Sequence, residues 1–205
     1  MKLIIFDFDG VIVDSFGCLF PLIENAMKDI GFSFTQDQFR SFFTHNVHQS
    51  YKDFIDDEVT YARFSKFRKA NFDAYYQPRV FPGVANVVFE LKKHYFLAIA
   101  SSGKQDTIMR ILQKNGLANC FDTVLATTDS SKENMIQELL KKYNAQPEEA
   151  IMITDTVGDI KIAKELGLKT MAVTWGFQSE TTLTSALPDF IVQSPEKIQN
   201  ILHNQ

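Results

Sequence analysis

The stretch LIIFDFDG, residues 3–10, joins an unbroken apolar run to two aspartates one position apart. The apolar run predicts a strand that is buried on both faces. In an extended chain Asp7 and Asp9 project to the same side, and Gly10 permits a sharp turn after them. Carboxylates at the end of a buried strand are costly without a cation, and Mg²⁺ prefers such oxygen ligands. Taken alone, the pattern is also typical of an aspartate-rich turn that accepts backbone hydrogen bonds.

Residues 81–205 alternate between strand and helix patterns. Apolar runs predict strands at residues 96–100, 123–126, 150–153, 170–173 and 190–192. Apolar residues at helical spacing fill most of the intervals between them. Strands that alternate with helices in this way predict a doubly wound parallel α/β sheet, to which the strand at residues 3–6 also belongs.

The intervening segment, residues 16–80, has a different character. Phe is unusually frequent in the chain, at 19 residues, and many of them lie in this segment. Apolar spacing predicts a first helix, in which Pro21 is tolerable only if it lies in the first turn. Thr35 and Gln38 predict a capping box for a second helix, and an aromatic stripe in residues 61–75 predicts a third. We interpret the stripe as core in preference to a ligand pocket.

Polar side chains follow the predicted strands, at the sheet edge where folds of this kind bind ligands. Besides Asp7 and Asp9, they are Ser101, Ser102, Lys132, Asp155 and Asp159. The set comprises carboxylates, hydroxyls and an ammonium group, all of which are predicted at one edge of one sheet. Each residue also has a simpler interpretation: the serines and Asp155 as helix caps, Lys132 as a solvated lysine, and Asp159 as a first-turn acid.

In order and in strand context, these residues resemble the four motifs of the haloacid dehalogenase (HAD) superfamily, over the whole chain. The resemblance implies a HAD-like α/β core of residues 1–15 and 81–205, with a helical C1-type cap of residues 16–80 inserted after the first motif. Trp175-Gly176-Phe177 resembles a loop of phosphoglycolate-phosphatase-like members, although an aromatic plug under a turn explains it equally well. Residues 43–50 lack the glycine-containing specificity loop of several relatives.

The resemblance implies a nucleophile, an acid–base group and a metal site. Asp7 is the expected nucleophile, which forms an aspartyl-phosphate. Asp9 is the expected general acid for the leaving oxygen and then the base for water. The expected ligands of Mg²⁺ are Asp7, Asp155 and Asp9, the last through its main-chain carbonyl.

The remaining motif residues are expected to hold the phosphate and to balance charge. Ser101 and Ser102 are expected to bind phosphate oxygens, and Lys132 to bind phosphate and offset the negative charge near the metal. Asp159 is expected to bind the cation through water or to hold Lys132.

The function implied is Mg²⁺-dependent hydrolysis of a small phosphorylated metabolite, with phosphoglycolate-like compounds or pyrophosphate as examples. The main alternative is a phosphomutase on the same core, similar to β-phosphoglucomutase. A receiver-like signalling domain and a haloacid dehalogenase fit the motifs less well. In the cap, His45 and His48 are candidate substrate contacts, although surface histidines are commoner.

Composition bounds the partners and the compartment. The net charge of −4 gives no general attraction for nucleic acid or an anionic membrane. No apolar stretch approaches the roughly 20 residues that cross a bilayer, and no signal peptide is recognisable. Two cysteines are too few for a disulfide framework, so we expect reduced thiols and a cytoplasmic protein. We also expect a monomer or small homo-oligomer whose partner is a small phosphoester.

Overall fold

The computed structural model describes residues 1–45, 47–127 and 130–203. The chain forms two compact units, one of Met1–Val13 with Val80–Gln205 and the other of Asp14–Arg79. We call the first the α/β unit and the second the helical unit. Within the α/β unit the amide of Phe81 donates to the carbonyl of Ile12 at 3.0 Å. The chain therefore returns to the α/β unit beside the point at which it left.

A parallel sheet forms the centre of the α/β unit. The strands assigned within the described residues are β1 (Leu3–Phe6), β2 (Val13–Asp14), β3 (Arg79–Val80), β4 (Phe96–Ser101), β5 (Thr123–Ala126), β6 (Ala150–Thr154), β7 (Lys169–Val173) and β8 (Phe190–Val192). β2 and β3 form a two-stranded sheet, and the other six form a sheet in the order β5-β4-β1-β6-β7-β8. All the pairings in the larger sheet are parallel, which confirms the predicted α/β fold.

β1 lies in the middle of this sheet, and all four of its residues are buried. Leu3 aligns with Phe96 of β4 on one side and with Ala150 of β6 on the other. The chain builds β4 and β5 on one side of β1 and then crosses to β6 on the other. This reversal places the topological switch point at β1, and open α/β sheets bind ligands at such points.

Helices accompany the strands along the chain. Within the described residues they are α1 (Phe16–Asp29), α2 (Gln36–Ser41), α3 (Val47–Ile55), α4 (Glu58–Tyr75), α5 (Val84–Leu91), α6 (Gln105–Lys114), α7 (Lys132–Tyr143), α8 (Val157–Glu165), α9 (Glu180–Thr184) and α10 (Glu196–Leu202). Met135, Ile136 and Leu139 of α7 pack in one core cluster with Leu3 and Ile5 of β1. No helix in the described part of the chain is both long and apolar enough to span a membrane.

α1 to α4 belong to the helical unit. Thr35 and Gln38 form the predicted capping box at the start of α2, where the amide of Gln38 donates to Thr35 Oγ1 at 3.2 Å. Tyr51 of α3 and Phe64 of α4 are both buried, with ring centroids 5.1 Å apart. Aromatic side chains therefore form part of the core of this unit.

The expected position of Pro21 in the first turn of a helix is wrong. α1 begins at Phe16, so Pro21 is an interior residue of that helix. Proline at such a position removes one backbone hydrogen bond and crowds the carbonyl four residues earlier. That carbonyl belongs to Gly17, beside whose α-carbon the space is open, and α1 continues to Asp29.

Candidate active site

The predicted site residues of the α/β unit gather at one edge of the sheet. Asp7 directly follows β1, Ser101 is the last residue of β4, and Asp155 directly follows β6. The register aligns Phe6 with Ile99 and Ile153, and the amide of Asp7 donates to the carbonyl of Ile153 at 2.9 Å. The strands therefore end together, at the switch point, as the sequence predicts.

A tight loop of residues 7–13 follows β1. The amide of Gly10 donates to the carbonyl of Val13, and the amide of Ile12 to the carbonyl of Phe8, both at 2.9 Å. Phe8 is fully buried, whereas Asp9 is partly exposed. The loop therefore separates alternate side chains, so that Phe8 enters the core and the carboxylates on either side of it remain at the sheet edge.

Lys132, the first residue of α7, lies inside the site. Its Nζ donates to Asp7 Oδ1 at 2.9 Å and to the carbonyl of Ala100 at 2.8 Å, and it pairs with Asp159 Oδ2 at 3.0 Å. Only 6% of its side chain is exposed, so the interpretation as a solvated surface lysine is wrong. Burial alone would lower the pKa of Lys132, but the carboxylates of Asp159 and Asp7 outweigh it and raise that pKa above its ordinary value.

Asp7 is a buried carboxylate, and its pKa is raised despite its contact with Lys132. Its Oδ1 accepts the amide hydrogen of Phe8 at 2.7 Å as well as the Lys132 contact. Burial raises the pKa of Asp7 from 3.8 to about 7, and the nearby charges of Asp159 and Asp9 add to the rise. Lys132 opposes this shift but does not cancel it. The positive charge of Lys132 is therefore not enough to hold the pKa of Asp7 at its ordinary value.

Asp155 lies between the end of β6 and the start of α8 and is completely buried. Its Oδ2 accepts the amide hydrogen of Phe177 at 2.7 Å, whereas no donor among the described residues reaches its Oδ1. Burial, followed by the charge of Asp7, raises the pKa of Asp155 well above its ordinary value. Asp155 does not cap α8; Thr156 does so, accepting from the amide of Asp159 at 3.4 Å.

Two glycines pack against the Asp155 carboxylate. A Cβ atom on either Gly10 or Gly176 would overlap Oδ2 of Asp155. Gly10 also has φ of +77°, a conformation that other residues rarely adopt. The backbone at Gly10 and Gly176, which are far apart in the sequence, therefore packs directly against this carboxylate. A side chain at either position would displace it.

Asp159 contacts Lys132, one of the two roles expected for it. Its Oδ2 also accepts from the hydroxyl of Thr154 at 3.2 Å. Thr154 and Gln178 are buried polar residues of the site that the sequence analysis missed. A threonine at the end of an otherwise apolar strand was the available signal for Thr154, whereas nothing local distinguishes Gln178.

The two serines differ in their placement. Ser101 is buried, and its Oγ accepts from the amide of Gly103 at 3.1 Å. α6 begins only at Gln105, so Ser101 is not a cap of that helix. Ser102 is exposed. Ser101 thus lies at the same strand ends as Asp7, whereas the side chain of Ser102 lies on the surface of the α/β unit.

The two candidate histidines lie in the helical unit. His45 is exposed and His48 is partly buried. Burial lowers the pKa of His48, and the positive charges of Arg68 and Lys52 lower it further. Asn46, which lies between the two histidines in the sequence, is outside the described residues.

The residues present fit a divalent cation with oxygen ligands. Among residues 1–45, 47–127 and 130–203, no cluster of three His, Cys, Asp or Glu side chains suits a metal. The expected set needs only two such side chains, Asp7 and Asp155, because the third ligand is the main-chain carbonyl of Asp9. The donorless Oδ1 of Asp155 is the observation that favours a cation, since a buried carboxylate oxygen without a partner is costly.

Comparison with known proteins gives consistent results. Residues 4–173 of the chain match the haloacid dehalogenase-like hydrolase family. A phosphoglycolate phosphatase from Synechococcus elongatus is 28% identical over 213 residues, which cover 97% of this chain and 95% of that protein. The pyrophosphatase PpaX from Oceanobacillus iheyensis is 24% identical over 208 residues, which cover 98% and 97%. A haloacid dehalogenase-like family hydrolase from Streptococcus pneumoniae has a similar structure, with a TM-score of 0.87, 24% identity and 98% coverage of both chains.

Proposed function

The chain belongs to the haloacid dehalogenase-like hydrolases, and we propose that it is a Mg²⁺-dependent phosphatase that hydrolyses a small phosphorylated metabolite through an aspartyl-phosphate on Asp7. The observation that carries the proposal is the buried contact between Lys132 Nζ and Asp7 Oδ1, at 2.9 Å. A carboxylate that attacks an anionic phosphate must remain ionised as the negative charge approaches. Lys132 supplies a cation for this purpose from inside the protein, where water screens it little.

We assign the two half-reactions to Asp7 and Asp9. The amide of Phe8 and Lys132 both hold Oδ1 of Asp7, so we assign Oδ2 as the attacking atom. It forms a bond to phosphorus as the bond to the leaving oxygen breaks, and Asp9 donates a proton to that oxygen. Asp9 then takes a proton from water, which attacks phosphorus and releases inorganic phosphate and the Asp7 carboxylate.

The bound Mg²⁺ would neutralise charge on the transferring phosphoryl oxygens. Asp7, the main-chain carbonyl of Asp9 and Asp155 are the residues that would hold it. The raised pKa values of Asp7 and Asp155 support this assignment, because burial and then the neighbouring carboxylates disfavour their ionised forms, which a bound cation would favour. Mg²⁺ suits a site of oxygen ligands that leaves positions for water and substrate.

We assign phosphate binding to the residues at the end of β4. The hydroxyl of Ser101 is buried at the strand ends, next to the amide of Gly103. Lys132 also contacts the carbonyl of Ala100 in the same strand at 2.8 Å. The exposed Ser102 is the weaker candidate, which we retain only for its main-chain amide.

The names of the relatives support two substrate classes, a phosphoglycolate-like monoester and pyrophosphate. Both are small and highly charged, and both fit a net-negative protein only if a local site holds them. We propose that the helical unit selects between them as a C1-type cap, with His45 and His48 as candidate contacts.

The test is phosphate release from a panel that contains phosphoglycolate, pyrophosphate and phosphosugars, with Mg²⁺ or with excess chelator. We expect Mg²⁺-dependent release that Asp7→Asn lowers by about a thousandfold or more. Asp9→Asn should slow both steps, but with an activated substrate whose leaving group needs no proton it should retain one phosphoryl group on the protein, detectable by mass spectrometry. Asp106→Asn, which changes an exposed carboxylate of α6, is the matched control.

Two outcomes would contradict this assignment. Full turnover in excess chelator would exclude a role for the metal in the reaction. Wild-type activity in Asp7→Asn would exclude Asp7 as the nucleophile. Interconversion of phosphosugar isomers without release of phosphate would instead indicate a phosphomutase.

A further inference from the structure

The segment Trp175–Gln178, which we call the strap, contacts both acidic segments of the site. Trp175 Nε1 donates to the carbonyl of Val11 at 3.2 Å, in the loop after β1. The amide of Phe177 donates to Asp155 Oδ2 at 2.7 Å. The strap therefore joins the loop that carries Asp7 and Asp9 to the carboxylate after β6.

The side chain of Gln178 restrains the backbone that follows Asp155. Its Oε1 accepts the amide hydrogen of Val157, the first residue of α8, at 2.7 Å, and its side chain is buried. The first amides of a helix have no partner within the helix, and a buried unpaired amide is costly. Because Val157 is only two residues after Asp155, this bond restrains the backbone that carries the carboxylate.

The side chain of Asp155 is restrained as closely as its backbone. Gly176 leaves no room for a Cβ atom, which would overlap both Oδ2 and Cβ of Asp155. The strap thus satisfies Oδ2 and confines the carboxylate, while Oδ1 has no donor among the described residues. A ligand oxygen must be held in one orientation to bind a cation well.

We propose that the strap is a positioning element that fixes Asp155 with Oδ1 directed to the cation, and that Gln178 is its principal positioning residue. The inference rests on the proposed function, since it requires Asp155 to be a metal ligand. It adds residues that lie outside the motifs and that act through Asp155 without contact with the substrate.

The test measures metal affinity with Mn²⁺ as the probe, by electron paramagnetic resonance, with competition by Mg²⁺. Gln178→Met keeps the side-chain length but removes the acceptor for Val157, and we expect the Kd for Mn²⁺ to rise by about tenfold or more. Gln178→Glu keeps an acceptor oxygen, and we expect it to bind Mn²⁺ at least as tightly as the wild type does. A merely structural role would lower thermal stability in Gln178→Met without a change in Kd.

A second pair of variants tests the packing on Asp155. Gly176→Ala should weaken Mn²⁺ binding by about tenfold or more, because its methyl group displaces the carboxylate. Gly17→Ala places a methyl group in open space in α1 and should leave the Kd unchanged. At saturating Mg²⁺ the activity of Gln178→Met should recover towards that of the wild type, since the change acts on metal binding.

The possible failures are distinguishable. Wild-type-like Mn²⁺ affinity in Gln178→Met and Gly176→Ala, with loss of binding in Asp155→Asn, would overturn the role of the strap alone. Wild-type-like affinity in Asp155→Asn, or no binding by the wild-type chain, would overturn the proposed metal site and this inference with it.

Discussion

Lys132 connects three segments of the site through a single ammonium group. It contacts Asp7 after β1, the carbonyl of Ala100 in β4, and Asp159 in α8. Buried ion pairs often cost as much in desolvation as they return in attraction, so stability alone does not explain this arrangement. The charges of Asp7 and Asp159 also act on Asp155 and raise its pKa, so the carboxylates of the site outnumber its ammonium group. A divalent cation would supply the positive charge that the site lacks, and it would in turn attract an anionic phosphate.

Asp7→Asn should stabilise the metal-free protein at alkaline pH. The folded pKa of Asp7, about 7, is above the unfolded value of 3.8 because burial disfavours the charged form. Between these values the folded state binds more protons than the unfolded state, so stability falls as pH rises and the loss is complete above pH 7. Lys132 keeps its pair with Asp159 in the variant. We therefore expect the variant to be more stable than the wild type at pH 8, by about 1 to 3 kcal/mol.

Urea unfolding in excess chelator, at a series of pH values, checks this expectation. The variant should show a shallower decline between about pH 4 and pH 7, with some decline left because Asp155 also has a raised pKa. Added Mg²⁺ should stabilise the wild type at pH 8 and have little effect on the variant. Equal pH profiles for the two proteins would show that Asp7 does not carry the penalty.

At the scale of elements, the sequence predicted the parts whose pattern is local. The strands at residues 3–6, 123–126 and 190–192 match β1, β5 and β8, because an apolar run this short between turns favours a buried strand over a helix. The helices α3, α9 and α10 were missed. α3 is a mixture of polar and aromatic residues, and α9 and α10 are five and seven residues long, so apolar spacing alone gave no clear signal.

The candidate site shows the same division between local and distant information. Position after a strand was enough to select Asp7, Ser101 and Asp155, because parallel strands end at one edge. The strap could not be predicted in this way. The bonds of Phe177 to Asp155 and of Gln178 to Val157 span 22 and 21 residues, and they depend on where β7 lies beside β6.

Pro21→Ala should stabilise the protein, because Pro21 lies in the interior of α1. Alanine restores a backbone donor and removes the crowding of the Gly17 carbonyl, for a gain of about 1 to 3 kcal/mol. Chemical unfolding measures the change. Pro147→Ala is the control, since Pro147 stands at the start of a 3₁₀ helix, where proline is tolerated, and it should leave stability unchanged or lower it. Equal effects at both positions would contradict the interpretation.

At the scale of the whole molecule, one compact unit is inserted within another. The helical unit, Asp14–Arg79, interrupts the α/β unit directly after the loop that carries Asp7 and Asp9. The hydrogen bond between Phe81 and Ile12 holds the two ends of the interruption together in the α/β unit. A short linker can therefore close the same gap at little entropic cost. The motif residues, the strap and the proposed cation ligands all belong to the α/β unit.

The helical unit, by this division of the chain, is where we expect substrate selection to lie. In the proposed roles, the motif residues contact only phosphate, nucleophile and cation, so we do not expect them to distinguish one leaving group from another. Replacing Asp14–Arg79 with a short Gly/Ser linker should leave a chain that unfolds cooperatively and still binds Mn²⁺. If the helical unit excludes water as the proposed cap, the shortened chain should release phosphate more slowly. Its kcat/KM values for phosphoglycolate, pyrophosphate and phosphosugars should converge to within about tenfold of one another. The same chain with Asp7→Asn is the control for residual catalysis. If the shortened chain kept the preferences of the full-length protein, selection would reside in loops of the α/β unit, and the helical unit would not be a specificity cap.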